Sequence, residues 1–198
     1  MSSGSPRVGV FGGTFDPIHR GHVAVAAAVR DALGLDRMLV VVANEPWQKQ
    51  DRPVTPAEDR YAMVEAALAD RPGLVASRIE LDRGGPSYTV DTVRRLLDDD
   101  ADVEVVLVVG ADVVGALDTW HDHEALSGLV TLAVVDRPGA TGAEPPPGWR
   151  YVRVPLTPLD VSSTDLRSRL EAGDPVADAV PDAVIRCMAE RGLYATGR

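Results

Sequence analysis

The sequence predicts an α/β protein of the Rossmann-like type: a doubly wound, mostly parallel sheet with helices on both faces and a small helical C-terminal piece. Valine-rich apolar runs alternate with helical stretches, as expected when strands buried on both faces are joined by helices. A length of 198 residues with 45% hydrophobic residues suffices for one core. We expect a disordered leader over residues 1–6 and a single domain over residues 7–198, with its helical C-terminal portion at about 160–198.

The order of elements follows from the apolar patterns. Strands are predicted at residues 8–11, 37–42, 74–77, 103–109, 130–135 and 151–154. Helices are predicted at residues 23–30, 56–69, 89–97, 163–171 and 181–191, with a further one just after Trp120. Thr55 is the expected N-cap of the second helix, and Glu58 completes a capping box. We expect an acidic loop at residues 98–100 and a mobile proline- and glycine-rich loop at residues 139–148.

The composition disfavours several classes of function. With 20 basic and 30 acidic residues, the formal net charge is −10, which argues against non-specific binding to nucleic acid or to a membrane surface. The single cysteine, Cys187, cannot form an internal disulfide and is expected to pack on a helix. No signal-peptide pattern opens the sequence, and no apolar run approaches the roughly 20 residues that cross a bilayer. We therefore expect a cytoplasmic protein.

Residues 12–22 (GGTFDPIHRGH) link the first strand to the first helix. Glycines leave room for an anion, and the unpaired N–H groups at a helix N-terminus attract one. His19 and His22 are three residues apart, so they share a face if both lie in the first helical turn. The segment predicts a phosphate site with two imidazoles, although both histidines could instead cap the helix or pack in the core.

Two common nucleotide-binding motifs are missing. Counted from Gly12, the pattern G-x-G-x-x-G needs glycines where Thr14 and Pro17 stand. Gly110 and Gly115 have the spacing of a Walker loop, but alanine and leucine follow in place of lysine and a hydroxyl residue. Hydride transfer and kinase chemistry are therefore disfavoured.

Residues 162–167 (SSTDLR) predict a second anion site. Ser162 and Asp165 have the spacing of a capping box, so a helix begins here with hydroxyl and N–H donors at its start. Arg167 lies one turn further and can reach the same anion. Alone, this pattern also fits a well-capped surface helix. Combined with residues 12–22, it favours a nucleoside triphosphate that loses pyrophosphate.

Residues 121–124 (HDHE) contain metal-ligating residue types. They come early in a predicted helix, where alternate residues point to different faces, so they cannot easily converge on one ion. We therefore expect no metal site there.

The two motifs are similar to those of a known superfamily. Residues 12–22 match the H-x-G-H signature of the nucleotidyltransferases, and residues 162–167 match its S-S-T-x-x-R partner. The narrower resemblance is to bacterial nicotinate-nucleotide adenylyltransferases, and it extends from about Arg7 to Tyr194. It depends on residues 86–92 (PSYTVDT), 110–112 (GAD) followed by Trp120, 137–139 (RPG) and 192–194 (GLY).

The resemblance implies adenylyl transfer from ATP to nicotinate mononucleotide, which gives deamido-NAD and pyrophosphate in NAD biosynthesis. It implies Mg²⁺ carried on the ATP phosphates, and three catalytic residues, His19, His22 and Arg167. The residues that it assigns to ATP are Gly12, Gly13, Thr14, Phe15, His19, His22, Gly110, Asp112, Ser163, Thr164 and Arg167. Those that it assigns to nicotinate mononucleotide are Lys49, Thr89 and Trp120.

One segment departs from the family's pattern. Many members have Pro-Pro-His-Lys after the second strand, whereas residues 46–49 are Pro-Trp-Gln-Lys in this chain. The phosphate-neutralising lysine is retained as Lys49, and Trp47 belongs either to this loop's ligand side or to the core.

Other functions remain open at this point. Phosphopantetheine or nicotinamide mononucleotide could replace the acceptor, although Trp120 and residues 87–89 favour a flat pyridine ring. A nucleotide-binding regulator without catalysis is disfavoured because both histidines are present. The choice between monomer and homo-oligomer is left undecided.

Overall fold

The computed structural model describes residues 4–46, 53–136, 144–156 and 161–194. Trp47, Lys49, residues 137–143 and the first half of the predicted leader, residues 1–3, lie outside these ranges. The strands are β1 (Arg7–Gly13), β2 (Arg37–Val42), β3 (Leu74–Ser77), β4 (Glu104–Gly110), β5 (Val130–Val135) and β6 (Arg150–Val154). The helices are α1 (Arg20–Leu33), α2 (Ala57–Leu68), α3 (Ile79–Arg83), α4 (Thr89–Asp99), α5 (Ala111–Val114), α6 (His123–Leu129), α7 (Ser163–Ala172) and α8 (Asp182–Glu190).

The strands form one six-stranded sheet in the order β3-β2-β1-β4-β5-β6. β4 pairs in parallel with β1 on one side and with β5 on the other, and β5 pairs in parallel with β6. The predicted Rossmann-like, doubly wound architecture is confirmed. The strand order reverses between β1 and β4, and parallel sheets of this kind bind ligands at the carboxyl ends of the strands beside such a reversal. Gly12 and Gly110 lie at those two strand ends.

The chain divides into two compact units, each built from separated segments. The first unit contains Met1–Gly12, Val25–Leu39 and Tyr88–Pro158, and the second contains Gly13–Ala24, Val40–Ser87 and Leu159–Arg198. The division places Gly12 in the first unit and Gly13 in the second, so the turn after β1 belongs to the second unit.

The central strands are as apolar as the sequence predicts. Five consecutive residues of β4, Val105 to Val109, are buried, and so are Met38 to Val42 in β2. Burial on both faces explains why these strands are continuous apolar runs without alternation. β6 differs because Arg150 to Arg153 are all exposed and only Val154 is buried.

Several boundaries differ from the predicted ones. α1 begins at Arg20, three residues before the predicted start, which puts His22 inside the helix and His19 just before it. α4 continues to Asp99, so two residues of the predicted acidic loop are helical. Three short elements were not predicted, namely α3, α5 and a 3-10 turn at Leu117–Thr119, because segments of three to five residues carry too little periodicity.

The predicted capping box of α2 is wrong. Pro56 is the N-cap residue of this helix, and no side chain caps it. Glu58 instead pairs with Arg78, with 2.9 Å between its Oε1 and Nη2. At α7 the prediction is confirmed on one side, since the Ser162 hydroxyl accepts a hydrogen bond of 3.1 Å from the Asp165 N–H.

No helix in the described part of the chain is long and apolar enough to cross a membrane.

Candidate functional site

The turn after β1 is shaped by Gly13 and Phe15. Phe15 adopts a left-handed backbone conformation with φ of 50° and is 3% exposed. Its ring folds back over Gly13, where a Cβ atom would lie 2.8 Å from the ring's Cζ. Gly13 is therefore required by the position of this ring. At Gly12, by contrast, a Cβ atom would meet no described atom within 4 Å, so space is open beside that residue.

His19 and His22 form a stacked pair at the start of α1. Their ring centroids are 3.6 Å apart and their planes differ by 24°, while the edge of the Phe15 ring contacts His22 at 5.0 Å between centroids. The Nδ1 atom of His22 accepts from the His19 N–H at 3.3 Å, and Nδ1 of His19 accepts from the His22 N–H at 3.4 Å. Both Nδ1 atoms thus act as acceptors, so each neutral ring carries its hydrogen on Nε2.

The start of α7 contacts the same turn. The Ser163 hydroxyl donates to the Pro17 carbonyl at 3.0 Å, and Nη1 of Arg167 donates to the Asp16 carbonyl at 2.7 Å. Nη2 of Arg167 donates to the Thr164 hydroxyl at 3.1 Å. The two predicted motifs, far apart in sequence, therefore meet at residues 16–17 within the second unit.

Asp16 is a buried carboxylate behind this turn, only 2% exposed. Its Oδ1 accepts a short hydrogen bond from the Tyr194 hydroxyl, and its Oδ2 accepts from the Thr55 N–H at 3.5 Å. Burial alone would raise the pKa of Asp16, but hydrogen bonds from Thr55 and Tyr194 and the charge of Arg167 outweigh it and lower the pKa. Burial, followed by the hydrogen bond to Asp16, raises the pKa of the Tyr194 phenol.

Arg60 donates hydrogen bonds to three separate loop segments of the second unit. It lies on α2 and is 1% exposed. Its Nη1 donates to the Thr14 carbonyl at 2.8 Å, its Nη2 to the Asn44 carbonyl at 3.1 Å, and its Nε to the Thr55 carbonyl at 2.7 Å. Burial lowers the pKa of this guanidinium, while the charge of Asp16 acts in the opposite direction. The guanidinium of Arg60 therefore donates hydrogen bonds to the turn after β1, to the segment after β2 and to the start of α2.

The first unit contains the residues predicted for the ribose and for the pyridine ring. Gly110 ends β4 and precedes α5, where Asp112 is exposed in the first turn. Thr89 begins α4, and Trp120 follows the 3-10 turn. The segments of Thr89 and Trp120 meet because the neighbouring rings of Tyr88 and His121 stack at 4.2 Å between centroids.

The indole nitrogen of Trp120 is buried and, among the described residues, has no hydrogen-bond partner. Buried donors are nearly always satisfied, so this N–H is a candidate to donate a hydrogen bond to a ligand oxygen.

Two residues of the segment 121–124 make contacts with other side chains. The His121 ring is engaged in the stack with Tyr88, and Asp122 pairs with Arg94 at 2.6 Å. Over the described ranges, no cluster of His, Cys, Asp and Glu side chains could hold a metal ion.

Sequence reasoning missed Asp16, Thr55, Arg60 and Tyr194 as parts of the site. Arg60 did leave a signal, since it occupies the buried side of α2 together with Met63, Val64, Ala67 and Leu68. A charged residue on an apolar helical stripe indicates a buried polar function. Asp16 and Tyr194 left no such signal, because their contact joins residues that are 178 positions apart.

The fold and the site together define a Rossmann-like α/β protein with a stacked histidine pair shortly after the end of its first strand. The Cytidylyltransferase-like family model matches residues 10–169, and the chain belongs to this family.

Individual relatives of the chain have names that are more specific than that of the family. The chain is 42% identical over 196 residues to a Corynebacterium kroppenstedtii protein named probable nicotinate-nucleotide adenylyltransferase, with 98% of this chain and 93% of that protein covered. It is 45% identical over 186 residues to a Streptomyces coelicolor protein of the same name, with 92% and 98% covered. Among solved structures, it is similar in fold to Plasmodium falciparum nicotinic acid mononucleotide adenylyltransferase complexed with NaAD, with a TM-score of 0.79, 16% identity and coverage of 96% and 97%.

Proposed function

We propose that this chain transfers the adenylyl group of ATP to nicotinate mononucleotide, giving nicotinate adenine dinucleotide and pyrophosphate in NAD biosynthesis. The observation that carries the proposal is the contact of the start of α7 with residues 16–17, in the turn that leads into the stacked His19–His22 pair. The names of relatives more than 40% identical over nearly the whole chain support the choice of substrates.

The reaction requires charge neutralisation more than proton transfer. A phosphate oxygen of nicotinate mononucleotide attacks the α-phosphorus of ATP. The bond from that phosphorus to the oxygen bridging to the β-phosphorus breaks, and pyrophosphate leaves with the bonding electrons. Because the nucleophile is already an anion, no general base is needed, and the protein contributes positioning and electrostatic stabilisation.

The histidine pair is suited to this task. With Nδ1 of each ring occupied as an acceptor, the Nε2–H groups are the donors that can serve phosphate oxygens. His22 lies in the first turn of α1, where the helix N-terminus adds its own positive potential. We assign His22 to the α-phosphate in the transition state and His19 to the phosphates beside it.

The leaving pyrophosphate is assigned to α7. Ser163, Thr164 and Arg167 lie at its start, and Arg167 supplies a cation for the charge that develops on the β- and γ-phosphates. Gly12 is assigned to close approach by ATP because a Cβ atom there would fill open space. Gly13, Thr14 and Phe15 are also assigned to ATP binding, because they form the turn that leads to the two histidines.

The remaining roles follow the family resemblance. Gly110 and Asp112 are assigned to the ATP ribose, and Thr89 and Trp120 to the nicotinate ring. The buried indole N–H of Trp120 adds a donor without a partner in the described segments. Lys49 is assigned to phosphate neutralisation on the mononucleotide. Mg²⁺ would be bound through the ATP phosphates and would neutralise their charge, and we place the reaction in the cytoplasm.

The test is pyrophosphate release by the purified protein with ATP and Mg²⁺ across three acceptors: nicotinate mononucleotide, nicotinamide mononucleotide and phosphopantetheine. We expect the highest kcat/KM with nicotinate mononucleotide. His22→Ala should lower kcat by about 100-fold to 1,000-fold, as expected when a transition-state donor is removed.

His123→Ala is the matched control, because this histidine lies on α6 in the other unit and should leave kcat unchanged. Full activity of His22→Ala would refute the role of His22. A preference for another acceptor would refute the assigned substrate.

A further inference from the structure

Asp16 joins the phosphate-binding turn to the C-terminal segment of the chain. Its main-chain carbonyl holds Arg167 at 2.7 Å, while its side chain accepts from the hydroxyl of Tyr194. Tyr194 itself has a left-handed backbone with φ of 56°, and the preceding Leu193 N–H is anchored on the Met188 carbonyl of α8 at 2.9 Å. A residue from the last part of the chain thus reaches the back of the turn.

The Asp16 carboxylate is not placed to act on substrate. It is buried, and its two oxygens accept from Tyr194 and from the Thr55 main chain. The attacking group in the proposed reaction is a phosphate anion, so it gives this carboxylate no proton to accept. An acid beside a phosphate site would also repel the ligand, and here the buried Arg60 guanidinium interacts with its charge.

The geometry of Asp16 instead controls where Arg167 points. Nη1 of Arg167 is held by the Asp16 carbonyl and Nη2 by the Thr164 hydroxyl, so rotation of the Asp16 peptide would move the guanidinium. The side chain of the same residue is fixed by Tyr194 on one oxygen and by Thr55 on the other. Loss of the hydrogen bond from Tyr194 would remove the contact that holds Oδ1 of Asp16.

We propose that Tyr194 is a positioning residue for adenylyl transfer, and that it acts through Asp16 to hold Arg167 toward the β- and γ-phosphates of ATP. This inference rests on the proposed function, because it assigns Arg167 to the triphosphate. It adds a contribution from the C-terminal segment that reaches no substrate atom directly.

The test is Tyr194→Phe, which removes only the hydroxyl. We expect kcat/KM for ATP to fall about tenfold, the size of one lost charge-assisted hydrogen bond. The KM for nicotinate mononucleotide should change less than twofold, because Thr89 and Trp120, which are assigned to it, lie in the first unit. Tyr151→Phe is the matched control, since this tyrosine is exposed on β6 and should leave both values unchanged.

The decisive comparison is made in an Arg167→Ala background. If Tyr194 acts through Arg167, Tyr194→Phe should cause no further loss of kcat/KM for ATP there. An equal tenfold loss in both backgrounds, or unchanged kinetics in Tyr194→Phe alone, would overturn the inference. Should circular dichroism show Tyr194→Phe to be unfolded, Thr55→Val, which removes a hydroxyl that hydrogen-bonds to both Asp16 and Tyr194, takes its place in both backgrounds.

Direct titration with ATP separates this inference from the proposed function. Calorimetry on the same variants needs no acceptor, so a wild-type protein that releases no pyrophosphate would refute the proposed reaction alone. Weaker ATP binding by Tyr194→Phe, absent in the Arg167→Ala background, would still support the positioning role. Equal ATP affinity of wild type and Tyr194→Phe would overturn it.

Discussion

Gly12 and Gly13 are adjacent in sequence but serve different purposes. The flexibility of glycine is not the reason for either, since neither has a positive φ. At Gly13 the missing side chain makes room for the buried Phe15 ring, which in turn contacts His22. At Gly12 the missing side chain leaves open space where the proposed ATP phosphates approach. One glycine thus supports the fold of the turn, and the other supports the ligand.

Alanine at each position should separate the two roles. Gly13→Ala puts a Cβ atom 2.8 Å from the Phe15 ring, so it should lower the free energy of unfolding by about 1–3 kcal/mol. Gly12→Ala meets no described atom and should change the free energy of unfolding by less than about 0.5 kcal/mol, while raising the KM for ATP. Urea denaturation and steady-state kinetics measure the two quantities. Equal destabilisation by both variants would contradict the distinction.

At the scale of elements, α2 organises the second unit. Its buried face carries Met63, Val64 and Leu68 together with Arg60, whose guanidinium binds three main-chain carbonyls. Asp59 of the same helix pairs with Arg191, just after α8, at 2.8 Å between Oδ1 and Nη1. The helix thereby connects the turn after β1 with the C-terminal segment that contains Tyr194.

Arg60→Met keeps the volume of the side chain and removes its donors. Three main-chain carbonyls, one of them buried, then lose a charged partner, so the free energy of unfolding should fall by about 3 kcal/mol. Arg60→Lys should recover part of the loss, because an ammonium can serve fewer of the three acceptors.

Arg95→Met is the matched control for this series. Arg95 is 63% exposed in a surface pair with Asp99 on α4, and its loss should cost less than about 0.5 kcal/mol. Thermal unfolding of the four proteins tests the order, and equal midpoints for Arg60→Met and Arg95→Met would refute the structural role of Arg60.

The sequence predicts long elements well, because their periodic pattern extends over many residues. All six strands and the helices of nine or more residues were predicted to within a few residues, because buried apolar runs and amphipathic stripes dominate their energetics. The cap of α2 was wrong because the Thr55 hydroxyl hydrogen-bonds to Asp16 instead of capping the helix. Local pattern cannot reveal such a tertiary competitor for a capping residue.

At the scale of the whole molecule, segments that are far apart in the sequence contribute to the same site. The second unit draws on three separated segments, and residues 16–17 receive contacts from α7 and from Tyr194. The meeting of residues 12–22 with residues 162–167 could be anticipated because both are anion-binding patterns with complementary chemistry. The supporting residues Asp16 and Tyr194 could not, since their roles exist only in the folded structure.

The pH dependence of overall stability should report on this buried carboxylate. The pKa of Asp16 is lowered on folding, so its ionised form stabilises the protein above the unfolded value of about 3.9, and this contribution is lost as the pH falls through the folded value. The difference in free energy of unfolding between wild type and Asp16→Asn should therefore be constant above about pH 5 and shrink below about pH 4. Urea denaturation across this range measures it. Asp178→Asn, which removes an exposed partner of Arg169, should show a much smaller difference because solvent screens that pair. A wild-type advantage that grows on acidification would contradict the direction of the shift.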